Sequence, residues 1–254
     1  MRQVFSTYPY IEPEAPETFQ AIIRKRGTLF DVESGDILKM PGELHHFYLI
    51  EEGVCGYFVA GQVFGHPRIM STLLPGRTVA DISVSVGRPC NIETRALTPV
   101  KAWAVPASFF EEVVYKDPEV LRMHYQLTVM KHESTVEGMI ANFTLPPELR
   151  LRVLFQLLIA ADLKGEPHEV VKPGLWYRLP YRLTAQTIGM IVNLTRSNVS
   201  RQLNSWREAG LARKEGIDWE LAGELFENIY DWREELDRGQ IRPVEYDVEL
   251  DTDE

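Results

Sequence analysis

Cysteine is scarce in this 254-residue chain: Cys55 and Cys90 are the only two. They cannot assemble a four-thiolate metal cluster within one chain, and they fit a reducing compartment. Long apolar runs are missing too, for none approaches the roughly 18 residues that a membrane span needs. The N-terminal stretch to Phe19 lacks the apolar h-region and small-residue cleavage site of a secretory signal, so a cytoplasmic protein without a membrane partner is expected. No self-similarity with a period of about 20 to 50 residues indicates a solenoid. Walker loop, dinucleotide glycine fingerprint, HExxH and nucleophile elbow are all absent, and an enzyme is not expected. The six histidines make no metal site. His45 and His46 are adjacent and would face opposite ways on a strand, while His124 and His132 share a helix face without a third ligand. Positive charge is the last deficit, with 27 Lys and Arg against 37 Asp and Glu, a net of −10.

That deficit is uneven. Between Leu145 and Gly216 there are 11 Lys and Arg against 6 Asp and Glu, whereas from Ile217 to the end there are 3 against 14. Inside the basic segment lies LTAQTIGMIVNLTRSNVSRQLNSWREAGL, residues 183 to 211, which reads as two short helices joined by a tight turn. Thr184 can cap the first helix, with Ile188, Ile191 and Val192 at helical spacing. Val192, Asn193 and Leu194 make the turn, and Thr195 caps the second helix. Val199, Leu203 and Trp206 form its buried stripe, and Gly210 closes it. Arg196, Ser197, Asn198, Ser200 and Arg201 then lie near its N-terminal end. A recognition helix carries its base-reading side chains there, and arginine pairs bidentately with guanine. An ordinary pair of packed helices with a solvated face would show the same periodicity. The coincidence with the basic segment favours DNA, because phosphate neutralisation needs a local cationic excess whatever the global charge.

Hydrophobic content of 44% and charged content of 25% describe an ordinary globular protein of one large or two modest domains. Residues 28 to 105 read as all-β, with short runs HHFYLI, CGYFVA, IMSTLL, VADISVSV and VKAWAV between Gly, Pro and Asp turns, the pattern of a β-barrel or roll. ASFFEEVVYK reads as a short helix. From Asp117 as N-cap and Pro118 in the first turn, a long helix runs to Thr144, about 39 Å at 1.5 Å per residue. Leu121, Thr128, Thr135 and Asn142 recur at seven, with Tyr125, His132 and Met139 at the alternate step. This seam either pairs with a second copy or lies against the roll. LRLRVLFQLLIAAD begins a second domain, residues 211 to 220 suggest a short, turn-like wing, and a final amphipathic helix is expected from Leu221 with Leu225, Ile229 and Trp232 on one side. The acidic end is expected to be a disordered tail.

A glycine-punctuated roll, a long connecting helix and a helix-turn-helix, in that order, resemble the Crp/Fnr family of bacterial transcription factors. The resemblance runs from about Gly27 to Gly223. It is most specific over residues 183 to 211 and is supported by FYLIEEG, DPEVL and LRLRVLFQLL. It implies an α+β fold with a cyclic-nucleotide-binding-like β-roll in residues 1–116, a dimerisation helix in 117–144, a winged helix-turn-helix in 145–236 and an acidic tail in 237–254. It also implies a homodimer on palindromic double-stranded DNA, an effector that reorients the two heads, and RNA polymerase as an admissible further partner. DNA contacts are expected from Thr195, Arg196, Ser197, Asn198, Ser200 and Arg201.

The departures concern the effector. Where the cyclic-nucleotide branch has Gly-Glu-Leu and then a phosphate-gripping Arg-Ser pair, this chain has Ala80, Asp81, Ile82 and then Cys90 and Asn91. The bidentate phosphate ligand is lost, and Asp81 would repel an anion, so cyclic AMP is not expected. The N-terminal cysteines of the iron–sulfur branch are missing as well. Lys131 matches a lysine that the halophenol-sensing branch uses to hold a phenolate, and Thr135 lies one turn further along. The same lysine could equally be ordinary helix surface, and Cys90 either a thiol sensor or an inert buried thiol. No cofactor is named by the sequence. The expected effector is a small, partly apolar molecule with one acidic group, such as a phenolate or aromatic acid. The competing reading is a signalling module of this fold that does not bind DNA.

Overall fold

The computed structural model describes residues 5–59, 67–227 and 229. A short helix α1 (Glu17–Arg24) precedes a roll of antiparallel strands: β1 (Thr28–Val32), β2 (Ile37–Lys39), β3 (His46–Glu52), β4 (Cys55–Val59), β5 (Ile69–Leu73), β6 (Thr78–Val79), β7 (Ile92–Ala96) and β8 (Val100–Pro106). They form two four-stranded sheets, ordered β1-β8-β3-β6 and β2-β7-β4-β5. Tyr48, Ile50, Val79 and Ala102 of the first sheet pack with Leu38, Cys55, Leu73 and Ala96 of the second in one apolar core. The β3–β4 turn requires Gly53: its φ is +86°, and a Cβ there would stand 2.1 Å from the Pro99 carbonyl oxygen.

One expected strand is absent. VADISVSV alternates like a strand, but only Val79 pairs, and Asp81–Ser85 form the helical turn α2. Ala80 turns the chain at φ 64°, and the Val84 amide closes on the Ala80 carbonyl at 2.9 Å. Val84 goes inside while Ile82 and Val86 stay exposed, so the alternation does not separate two sheet faces.

The long helix α3 spans Pro118–Thr144, and the Asp117 carboxylate accepts from the Glu119 and Val120 amides as the sequence predicts. Val120, His124, Leu127, Lys131, Ser134, Gly138 and Ala141 form its buried face at alternating steps of four and three. A second apolar stripe faces outward. Tyr125 is 68% exposed and Phe143 85%, with Val129 and Met139 between them. The expected seam is thus half right. Leu121, Tyr125, His132 and Met139 are exposed, as are Val129 and Phe143, whereas Thr128, Thr135 and Asn142 are half-buried, as is Val136.

Helices α4 (Pro147–Leu163) and α5 (Pro167–Val170) lead to β9 (Trp176–Arg178), α6 (Ala185–Ile191) and α7 (Arg196–Glu208). Residues 211 to 220 are not merely a turn. Strands β10 (Ala212–Glu215) and β11 (Asp218–Ala222) make a hairpin that β9 extends to three strands in the order β10-β11-β9. The final helix expected from Leu221 does not begin there. Leu221 pairs with Ala212 and Tyr177 in the sheet, and Gly223–Phe226 form one 3-10 turn. Trp232 and the acidic tail lie outside the described residues.

The N-terminal stretch, to which the sequence assigns no role, is an internal part of the fold. Tyr10 and Glu12 bracket Thr72 of β5 through backbone hydrogen bonds of 2.8 and 2.9 Å. The Ser134 hydroxyl on α3 donates to the Tyr8 and Ile11 carbonyls at 2.7 and 2.8 Å. Residues 8 to 12 are therefore fastened to both β5 and α3. Tyr10 and Ile11 also join the apolar core that continues through Leu154, Phe155 and Trp206 into the helix-turn-helix.

Candidate functional site

The helix-turn-helix is assembled from local signals. The Thr184 hydroxyl accepts from the Thr187 amide at 3.0 Å, and the Thr195 hydroxyl from the Asn198 amide at 3.2 Å, so both expected N-caps form. Asn193 takes φ 53° in the turn. Gly189 lets α6 lie against the turn, since a Cβ there would be 2.6 Å from the Leu194 carbonyl oxygen. At the other end Gly210 sits at φ 73°, and the Leu211 amide bonds back to the Trp206 carbonyl at 2.8 Å.

Val199, Leu203 and Trp206 are buried under α7, and the Trp206 indole donates to Glu148 at 3.3 Å. Thr195, Arg196, Ser197 and Arg201 are exposed; Asn198 and Ser200 are half-buried at the edge. The six residues therefore share the N-terminal end of one helix, with two guanidinium groups and four small polar side chains turned outward or to its rim. Neither arginine is drawn into an ion pair among the described residues.

The wing adds cationic residues that the sequence reading passed over. Arg213 stacks over the Trp176 ring at 4.3 Å and meets Glu220 at 2.5 Å, and Lys214 lies 6.0 Å over Trp219. Arg178 and Arg182 converge on Asp218, which is buried at the base of the hairpin. The signal was a charged run, ARKE, and Trp219 on either side of Gly216 in ARKEGIDWEL, but so short a strand pair has too few periods to stand out.

In the roll, the residues expected to face a ligand face each other. Lys131, 4% exposed, donates to Asp81 Oδ1 at 2.6 Å and to both the carbonyl and the hydroxyl of Thr78 at 2.8 Å. Lys131 is therefore not helix surface, and its ammonium neutralises the carboxylate expected to repel anions. Burial pushes the Asp81 carboxyl up, but the Lys131 ammonium outweighs it and holds the group below the usual carboxylate range. Among the described residues, the second Asp81 oxygen has no hydrogen-bond partner. Nor does His124 Nδ1, 3.9 Å from it. Thr135 bonds back to the Lys131 carbonyl at 3.0 Å. Ile82 and Asn91 are exposed, and Ala80 supplies the left-handed turn.

Cys90 lies beside a residue that the sequence did not single out. Lys39, buried in β2, donates to Cys90 Sγ and to the Ile92 carbonyl, each at 3.3 Å. Partial burial pushes the Cys90 thiol up, and the Lys39 contact more than offsets it, leaving the thiol below its ordinary range.

A roll of two antiparallel sheets, a long helix and a winged helix-turn-helix in this order define the fold of the Crp/Fnr transcription regulators. Solved structures of that fold superpose over most of the chain. FixK2 from Bradyrhizobium japonicum is 18% identical with a TM-score of 0.63, covering 77% of this chain and 92% of its own. The C200S variant of CprK complexed with OCPA is 18% identical with a TM-score of 0.60, covering 87% and 98%. A CRP/FNR-family transcriptional regulator from Thermus thermophilus is 16% identical with a TM-score of 0.59, covering 79% and 98%. No protein-family model and no curated protein sequence matches the chain. Among the described residues, no helix is long and apolar enough to cross a membrane.

Proposed function

We propose that this chain is a homodimeric, effector-responsive transcription regulator: residues 1–116 sense, 117–144 dimerise, and 145–236 bind a palindromic operator. The observation that carries the reading is α7. Its capped N-terminal end presents Arg196, Ser197 and Arg201 from the only basic segment of an acidic chain, over a fully buried Val199–Leu203–Trp206 stripe. Arg201→Ala is expected to weaken specific operator binding by about 1–3 kcal/mol, roughly five- to 150-fold, with fold and oligomeric state unchanged. Arg196→Ala should act more weakly and more uniformly across sequences, as a phosphate contact does. Gel-shift titration decides this, and unchanged affinity in Arg201→Ala removes that residue from the interface. A chain that bound no duplex at low salt would be the signalling module instead.

The outward stripe of α3 supports the dimer. Exposed Tyr125, Val129, His132, Met139 and Phe143, with half-buried Val136, repeat at three and four, which suits pairing with a second copy about a two-fold axis. Half-sites would then stand about 34–36 Å apart, one turn of DNA. Met139→Lys with Phe143→Lys should convert a dimer to a monomer at micromolar concentration, measured by light scattering, while leaving the circular dichroism spectrum intact. A wild-type monomer would defeat the proposal.

An acidic effector at Lys131, such as a phenolate or aromatic acid, would act by taking the ammonium from Asp81. That exchange leaves a buried carboxylate to be protonated or moved, so binding should be coupled to a change in α2 and α3.

A further inference from the structure

None of the seven residues expected to contact an effector lines the cavity of about 880 Å³ that opens elsewhere. This cavity lies where the N-terminal stretch and α1 meet the middle of α3 and the end of α4. It therefore touches both the roll half and the helix-turn-helix half of the chain. Its wall carries Glu12, Glu14, Glu17, Glu166 and Glu169. Three cations share the wall: Lys164 at the C-terminal end of α4, and two arginines that are already committed. Arg77 is bound by Glu14 and by the carbonyls of Glu12 and Pro75, and Arg24 by Glu51 and Gln20.

Glu12 gives the cluster its direction. It is 3% exposed, yet its carboxyl receives no hydrogen bond of good geometry among the described residues. Ser71 is the neighbouring hydroxyl, and Ser71 Oγ makes no such bond either. Lys131 is near but held by Asp81 and Thr78, and Arg77 donates to the Glu12 backbone rather than to its side chain. On the cavity wall, the buried Thr7 hydroxyl is also without a partner among the described residues. Burial pushes the Glu12 carboxyl up to about 7, with Lys131, Ser71 and Arg77 opposing and Asp81 adding to the rise. Lys131 and Arg77 reach Glu12 only through space, their hydrogen bonds being made elsewhere, and a ligand ammonium would supply the direct partner.

We propose that this cavity is a binding site for an aliphatic polyamine, one ammonium of which meets the Glu12 carboxylate. The spaced glutamates suit a linear multivalent cation rather than a compact one. Between them, Ile11, Met130, Leu157 and Ala160 offer apolar wall to the methylene spacers. The Tyr8 hydroxyl already bonds Glu166 across the same gap, so an occupant there would bear on how the two halves are held together. That regulatory meaning rests on the DNA-binding reading; the binding itself does not.

Calorimetry with spermidine and putrescine on the full chain, without DNA, is the test. The expected result is one saturable site per chain for spermidine, tighter at pH 8 than at pH 6 because the ammonium meets an ionised Glu12. Glu12→Gln, which mimics the protonated carboxyl and so keeps the fold, should weaken spermidine about tenfold or more and remove the pH dependence. Thermal melting confirms that the variant is folded. No saturable binding, binding indifferent to Glu12→Gln, or full competition by an equal concentration of Mg²⁺ would overturn the site. A parallel gel shift separates the two readings. Operator binding without spermidine binding removes the cavity site alone, and spermidine binding without operator binding removes the regulator.

Discussion

Lys131→Met is expected to destabilise the protein by about 3–5 kcal/mol, the cost of leaving a buried charge without its partner. Asp81 is 1% exposed, its second oxygen is already unpartnered, and the nearest alternative cation is His124 at 3.9 Å. In the wild type, burial and the Lys131 ammonium lower the His124 pKa against Asp81, so the imidazole beside Asp81 is neutral at neutral pH. Urea unfolding followed by circular dichroism measures the loss. The double variant Lys131→Met with Asp81→Leu should recover most of it, because an apolar pair of similar volume often matches a buried ion pair. The dependence on pH has a definite sign. In the wild type the folded Asp81 pKa lies below its unfolded value, so the pair's contribution is present above that value and fades as pH falls through the lowered one. In Lys131→Met the largest opposing group is gone, burial is countered only by His124 and Thr78, and Asp81 moves upward. The variant's deficit should therefore shrink as pH drops from 7 toward 5. A single variant as stable as wild type at pH 7 would mean that the ammonium does not hold Asp81 as described.

Gly189→Val should cost about 3 kcal/mol and abolish operator binding, since overpacking here cannot relax into side-chain space. The atoms that a Cβ would meet are backbone: the Leu194 carbonyl oxygen at 2.6 Å and its carbon at 3.3 Å. The Leu194 amide also closes on the Gly189 carbonyl at 2.8 Å, so moving the turn breaks the bond that seats it. The second helix would then lose its angle to the first, and with it the placement of Arg196 and Arg201. Gel shift and light scattering together read the result: DNA binding lost, oligomeric state kept. Gly189→Ala should show the same defect in milder form, and wild-type DNA binding by either variant would show that the turn has room the geometry denies.

Legibility in the sequence followed the range of the interaction. Both threonine caps, the Asp117 cap with Pro118, Gly210 and the Val199–Leu203–Trp206 stripe were readable because each depends on neighbours within about one or two turns of helix. In the expected seam of α3, Thr128, Thr135 and Asn142 are half-buried while Leu121, Tyr125, His132 and Met139 are exposed. A heptad pattern shows that two faces exist without saying which one the roll covers, and α3 has apolar residues on both. VADISVSV was misread for a related reason: alternation records polarity, and the left-handed Ala80 overrode it. The wing was too short to give a period.

By itself the sequence determined the order of the parts: a roll, a long helix and a helix-turn-helix whose outward residues sit in the only basic stretch of an acidic chain. Composition, caps and periodicity suffice for that, because they act locally or add up along the chain. Tertiary structure alone decided what occupies the sensing half. Asp81 and Lys131 are 50 residues apart, and Tyr8 lies 126 residues from Ser134, yet these contacts close the interior and carry the N-terminal stretch between β5 and α3. No periodicity encodes such pairings. They exist only when folding brings distant segments together, and the desolvation of Asp81, Lys131 and Glu12 that gives the site its chemistry arises in the same step.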